Sequence, residues 1–160
     1  MSEVFPLPGD YGQIRRATRA DVVAIVRLLA DVPLGQVRET FTDPLPESYY
    51  RAFEAIEADP NRFLAVVEQN GRIVGTFQLS FIPGLSHKGA WRVQLEAMHI
   101  EHTLRNQGLG RAVMQWIIEQ ARQRGCTLMQ LSTDKSRPAA HRFYPRLGFI
   151  SSHEGMRLKL

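Results

Sequence analysis

Asn70-Gly71 stands between two apolar runs, Phe63-Leu64-Ala65-Val66-Val67 and Ile73-Val74-Gly75-Thr76-Phe77-Gln78-Leu79. No other feature of the chain constrains its fold as much. The dipeptide accepts the positive φ angles of a tight primed turn, so the two runs are expected to pair as an antiparallel hairpin. Other elements follow from periodicity and punctuation. Gln13–Arg16 reads as a short strand, and Thr18-Arg19-Ala20-Asp21 as the start of a helix carrying Val22, Val23, Ile25, Val26, Leu28 and Leu29. Residues 33–46 read as a loop, and Pro46 to Asp59 as a second helix with Tyr49, Tyr50, Phe53 and Ile56 on one side. Pro83, Gly84 and Gly89 interrupt the chain before a strand running from about Trp91 to Ile100. Leu109, Ala112, Val113, Trp116 and Ile117 then recur at helical spacing, with Gly125 as the cap. Leu128–Leu131 is a further strand, and Pro138 opens a last helix on which Ala140, Phe143 and Leu147 share a face. Gly148-Phe149 leads into a closing strand ending near Leu158. The expected order is β-α-α-β-β-β-α-β-α-β, a single α/β domain over residues 1–160 with a mixed, mostly antiparallel central sheet flanked by helices.

A chain of 160 residues can bury a core without disulfides or a structural metal. Cys126, the single cysteine, excludes an intrachain disulfide and a multi-cysteine zinc site. Histidines 87, 99, 102, 141 and 153 form no metal-ligand spacing, so no metal is expected. No apolar run approaches the ~18–20 residues of a membrane span. The opening residues MSEVFPLPGDYG lack the basic start and apolar stretch of a signal peptide, and a cytoplasmic location without membrane association is expected. The net charge of +4 is unevenly placed. Residues 1–100 hold 10 basic and 12 acidic side chains, and residues 101–160 hold 10 basic and 4 acidic. A local basic excess suits nucleic acid, an anionic membrane, a polyphosphate ligand or plain solvation. No basic run interleaved with stacking aromatics supports nucleic acid, which is not expected as a partner.

The chemistry concentrates in Arg105-Asn106-Gln107-Gly108-Leu109-Gly110-Arg111, which follows the strand ending Met98-His99-Ile100 and opens an amphipathic helix. The first N–H groups of a helix lack internal partners, and with the helix dipole they form an anion site suited to a pyrophosphate. Arg105 and Arg111 add charge beside it. Two other phosphate loops fail on spacing. Gly-x-x-x-x-Gly-Lys-Ser/Thr is absent, and a Gly-x-Gly-x-x-Gly fingerprint would need glycine or alanine where Val113 stands.

At these residues the chain resembles the GNAT N-acetyltransferase superfamily. Arg105, Gly108 and Gly110 match that family's Arg/Gln-x-x-Gly-x-Gly/Ala loop, and Ala140, Phe143, Tyr144, Gly148 and Phe149 match its Ala-x-x-apolar-Tyr-x-x-x-Gly-Phe motif. The resemblance in element order spans about residues 13–158. It implies acetyl-CoA as co-substrate, with backbone groups of Met98, His99 and Ile100 along the pantetheine arm. Amides of Arg105, Asn106, Gln107, Gly108, Leu109, Gly110 and Arg111 would lie at the pyrophosphate. It also implies an amine acceptor, with a homodimer as one arrangement open to the chain.

The reaction so implied moves an acetyl group to a primary amine of a small molecule or protein by direct attack on the thioester. Such an amine is protonated at neutral pH, which calls for a carboxylate base. Glu96 is the expected base. Strand alternation would put 94, 96, 98 and 100 on one face and His99 opposite; Gln94 cannot serve. Tyr144 is the expected proton donor to the departing thiolate, although Pro145 should kink or end its helix there. The competing expectation is a non-catalytic acyl-CoA-binding or sensing module of the same fold.

Overall fold

Three strand pairings around the Asn70-Gly71 turn organise the sheet. The computed structural model describes residues 3–160. Its strands are β1 (Val4–Pro6), β2 (Gln13–Arg16), β3 (Arg62–Gln69), β4 (Arg72–Pro83), β5 (Trp91–Ile100) and β6 (Cys126–Leu131). They lie side by side in the order β1-β2-β3-β4-β5-β6, and each neighbouring pair from β1 to β5 is antiparallel. The hairpin is β3–β4, with Asn70 and Gly71 both at positive φ (51° and 74°), as the dipeptide requires. β6 flanks β5, held by Gln130 Nε2 donating to Gln94 Oε1 at 2.6 Å and Thr127 Oγ1 donating to Trp91 O at 3.5 Å. The same offset of 36 residues in both contacts is the register of parallel strands.

Five α-helices of six or more residues accompany the sheet among the described residues: α1 (Val22–Ala30), α2 (Pro33–Arg38), α3 (Glu47–Ala58), α4 (Leu109–Gln123) and α5 (Pro138–Phe143). α1 and α3 cover one face. Val22, Ile25, Val26 and Phe53 pack with Ala17, Leu45 and Val66 of β3 into one buried cluster. α4 covers the other face, burying Leu109, Ala112, Val113, Met114, Ile117 and Ala121. There the Trp116 ring meets Phe5, Phe63 and Phe77 at centroid distances of 5.0, 6.0 and 6.0 Å. Ring pairs at this spacing add to what burial alone contributes.

Packing divides the chain into two units, residues 1–130 and 131–160. The first contains the sheet through Gln130 and helices α1 to α4. The second begins at the last residue of β6 and carries α5, then a 3-10 turn over Tyr144–Leu147. Pro145 has the effect its ring demands, since the α-helix ends at Phe143.

Three elements differ from expectation. The loop 33–46 contains α2, whose Pro33 occupies the first helical position, and β1 precedes the expected first strand. Residues 149–160 do not form the closing strand. Met156, Leu158 and Leu160 alternate as a strand would, but they stay exposed and the segment has no regular structure. Without a ladder partner or a half-buried face, nothing offsets the entropy of ordering it.

One ionic cluster fixes the entry to α1. Arg15 Nη1 and Nη2 donate to both carboxylate oxygens of Asp21 at 2.7 and 3.0 Å, and Nη2 also donates to Glu68 at 3.0 Å. The Thr18 N–H and hydroxyl close on Asp21 Oδ2 at 2.7 and 2.9 Å. Asp21 is only 7% exposed. Burial would raise its carboxyl, but the Arg15 guanidinium and Thr18 reverse this and hold it below the usual range. Arg15 likewise holds Glu68 down. Both carboxyls therefore favour the folded chain while ionised. Their contribution is complete above about pH 4 and is lost as the pH falls through the depressed folded values. Asp21→Asn should cost about 1.5–3 kcal/mol in urea unfolding at pH 7, and its deficit against the wild type should shrink as the pH is lowered toward 2. A deficit independent of pH would contradict this account.

Candidate active site

β5 is where the site departs from simple strand geometry. Gln78 pairs with Glu96, but Thr76 pairs with His99, so two steps along β4 match three along β5. The extra residue is a bulge, and Ala97 sits there at φ 51°. Because Thr76 and Gln78 share a face of β4, Glu96 and His99 share a face of β5. This corrects the expectation that 94, 96, 98 and 100 lie together with His99 opposite. Gln94, Glu96 and His99 lie on the α1/α3 face, and Leu95 and Ile100 are buried on the α4 face. The bulge reverses the alternation between Glu96 and His99.

The Glu96 side chain is exposed, and no hydrogen bond or ion pair engages its carboxylate among the described residues. It is not tied to Arg92 or to nearby backbone. Glu101, at the end of β5, is the contrasting case, since its carboxylate is taken by Arg72 Nη2 at 3.2 Å. The Glu101 N–H donates to Val74 O at 2.8 Å, so by antiparallel alternation the N–H and C=O of Ile100 turn away from β4. The Ile100 carbonyl accepts Arg105 Nε at 2.9 Å, which draws the loop back against the strand end. His99 pairs with Thr76, so its backbone faces β4.

The loop between β5 and α4 is built on two left-handed residues, Asn106 at φ 60° and Gly108 at φ 92°. Gly108 is favoured by its torsion, and a Cβ there would displace the Tyr11 hydroxyl. That hydroxyl donates to Gln107 O at 2.9 Å. Tyr11 thus straps the loop from the β1–β2 connection, a role that no local pattern around residue 11 announces. Gln107 Nε2 donates to Thr103 O at 2.8 Å and closes the loop on itself. Ala112 N–H is bonded to Gly108 O, which leaves the N–H groups of Leu109, Gly110 and Arg111 at the helix start without helical acceptors.

These residues suit a pyrophosphate. Residues 102–111 contain no carboxylate, and the side chains of Arg105 and Arg111 are exposed beside the fifteen-residue α4 and the positive end of its dipole. Met98 is half-buried on β5 directly after the bulged residue.

Tyr144 lies in the second unit. Its ring packs edge-on against Phe143 and Phe149 at 5.2 and 5.6 Å, and Phe149 N–H donates to Tyr144 O at 3.3 Å. Gly148 closes the turn at φ 94°. The spacing of the Ala-x-x-apolar-Tyr-x-x-x-Gly-Phe motif is therefore that of a helix end folded over an aromatic group. The phenol hydroxyl has no hydrogen bond among the described residues. Burial pushes its pKa up, with Arg137 opposing the shift, so the hydroxyl stays protonated at neutral pH. Cys126 is half-buried, and burial raises its thiol as well. Among the described residues no cluster of three or more His, Cys, Asp or Glu could hold a metal ion, and no helix is long and apolar enough to cross a membrane.

Comparison with known proteins agrees with this geometry. The model of the acetyltransferase (GNAT) family matches residues 34–149. An aminoalkylphosphonate N-acetyltransferase of Salmonella typhimurium is 30% identical over 142 residues, covering 88% of this chain and 86% of the relative. A glucosamine 6-phosphate N-acetyltransferase of Trypanosoma brucei brucei is 34% identical over 94 residues, 58% of this chain and 61% of that protein. A crystal structure of a transcriptional regulator from Bacillus halodurans C-125 is 46% identical, with a TM-score of 0.89 over 92% of this chain and 98% of that one. With family match, sheet and helix-opening loop in agreement, the chain belongs to the GNAT acetyltransferase family and is an N-acetyltransferase.

Proposed function

We propose that this chain, acting as one domain over residues 1–160, moves an acetyl group from acetyl-CoA to the primary amine of a small molecule that also bears a phosphorus oxyanion. The observation that carries the reading is Glu96, an exposed carboxylate without an ion pair, on the β5 face just before the bulge that leads to the anion-binding loop. The acceptor class rests on the two relatives. An aminoalkylphosphonate and glucosamine 6-phosphate share an amine and a tetrahedral phosphorus group.

Acetyl-CoA supplies a thioester carbonyl. Leu109, Gly110 and Arg111 N–H groups with Arg105 and Arg111 hold its pyrophosphate, and the strand backbone at Met98 and Ile100 aligns the arm. Glu96, directly or through one water, takes a proton from the ammonium group of the acceptor so that nitrogen can attack. A backbone N–H of β5 stabilises the oxyanion that forms. Tyr144 gives its proton to the departing thiolate and is reprotonated by the second proton that the attacking nitrogen loses as the amide forms. One C–N bond forms, one C–S bond breaks and one proton is released overall.

A second reading, an acyl-CoA sensing module without turnover, is favoured by the regulator relative from Bacillus halodurans. Thiol release separates the two. Acetyl-CoA with an aminoalkylphosphonate should yield free CoA, whereas a sensor would show thermal stabilisation by acetyl-CoA and no release from any amine.

Three variants test the roles. Arg111→Glu places a carboxylate at the helix start and should abolish acetyl-CoA-dependent thermal stabilisation; unchanged affinity would remove the loop from the site. Glu96→Gln should lower kcat by at least ~10²-fold and flatten the acid limb of the pH–rate profile. An unaltered profile would exclude it as base. Tyr144→Phe should lose the basic limb, which the upward-shifted phenol places above the ordinary tyrosine value of ~10. Full activity in this variant would refute the proton-donor role.

A further inference from the structure

Five arginines project from strands of the sheet, and four of them have evident partners. Arg15 is clamped by Asp21 and Glu68, Arg62 by Asp59 at 3.2 Å, and Arg72 by Glu101. Arg16 rests on the Phe63 ring, 4.6 Å from its centroid. Arg92 has no carboxylate, ring or carbonyl partner among the described residues, although its side chain is half-buried. A guanidinium partly removed from water without a counter-charge loses hydration that nothing in the chain returns, and a bound anion would supply it.

The position of Arg92 is as informative as its lack of a partner. It precedes the bulge, so simple alternation holds and Arg92, Gln94 and Glu96 share one face of β5. Their partners on β4 are Ile82, Ser80 and Gln78. Arg62 Nη1 donates to Ser80 Oγ at 3.4 Å, and Gln130 takes the Gln94 oxygen, so the row between Arg92 and Glu96 is a fixed polar floor. At a strand rise of ~3.3 Å per residue, the Cα atoms of Arg92 and Glu96 stand roughly 13 Å apart. Two long side chains at that spacing leave the span of a small molecule with an amine at one end and an anion at the other.

The β4–β5 connection makes room for the group. A Cβ on Gly84 would come 3.4 Å from Arg92 Nη1 and 3.9 Å from Ser86 Oγ, so the missing side chain opens the space beside both. Gly84 has no positive φ to account for it. Beyond it, His87, Lys88 and Gly89 run through three consecutive left-handed residues (φ 53°, 62° and 75°), turning the chain sharply back toward β5.

We propose that Arg92, with the Ser86 hydroxyl beside it, binds the phosphorus oxyanion of the acceptor while Glu96 receives its amine. This rests on the acetyltransferase reading above and adds the residue that selects the acceptor. The test is selectivity, measured as the ratio of kcat/KM for a phosphorus-bearing amine to that of its phosphorus-free counterpart. 2-Aminoethylphosphonate is paired with ethylamine, and glucosamine 6-phosphate with glucosamine, which separates a phosphonate from a phosphate ester. In Arg92→Gln the ratio for the preferred pair should fall roughly 10- to 100-fold, and Arg92→Lys should recover part of it. Because a ratio is read, partial loss of folded enzyme does not imitate the effect. A ratio unchanged within twofold in Arg92→Gln overturns the proposal, as does a wild type that prefers the phosphorus-free amines. In either case thiol release from some amine leaves the acetyltransferase reading standing. Thermal stabilisation by acetyl-CoA with no release from any amine overturns both.

Discussion

One supernumerary residue in β5 governs how this molecule presents its chemistry. In the ladder with β4, Gln94 and Glu96 lie on the α1/α3 face with Leu95 on the α4 face, and beyond Ala97 the same faces take His99 and Ile100. An uninterrupted strand would turn Ile100 onto the polar face and His99 under α4. The bulge lets both stretches keep their preferred faces. An alanine at φ 51° costs about 1–2 kcal/mol relative to extended backbone. The buried positions of Leu95 and Ile100 offset that cost, because each removes apolar surface from water. The arrangement also brings Glu96, the strand backbone and the helix-opening loop into direct succession.

Much of this architecture is legible in the chain because the responsible signals are local. Asn70-Gly71 specifies the hairpin, the spacing of Leu109, Ala112, Val113 and Ile117 specifies the buried face of α4, and Pro145 marks where the last α-helix stops. Pro33 marked a helix too, but one of only six residues within a stretch rich in loop formers. The bulge was illegible, since alanine carries no mark of a positive φ, and one slipped residue inverts every side-chain direction after it. The closing strand shows the converse failure. Alternating Met156, Leu158 and Leu160 satisfy the pattern, yet a pattern does not supply a neighbouring edge. Of the candidate site, Arg105, Gly108 and Gly110 could be read directly. Tyr11, Arg92 and the Gln94–Gln130 tie could not, since their significance lies in partners or neighbouring surfaces brought together by folding.

The charge distribution looks different once each arginine is followed to its partner. The excess over residues 101–160 is not a uniform field. Arg122 lies 4.0 Å from Glu119, Arg124 stacks on Phe81 at 4.1 Å, and Arg157 donates to Ser132 at 3.2 Å. Arg105 spends one donor on Ile100 O. The cationic groups beside the helix start are therefore few, and the N–H groups of Leu109, Gly110 and Arg111 stand there without helical acceptors. On β5, Arg92 is the sheet arginine without a partner among the described residues.

The bond from the Tyr11 hydroxyl to Gln107 joins residues 96 positions apart. A contact of that separation closes late, because the entropy of joining so long a loop must be overcome before the contact gives anything back. The loop between β5 and α4 is therefore closed by a residue that precedes it by most of the described fold. An emerging polypeptide can form the β3–β4 hairpin alone, but the Tyr11 clasp must wait for residue 107 to arrive. Assembly of the fold and completion of the loop that opens α4 are in this sense the same event.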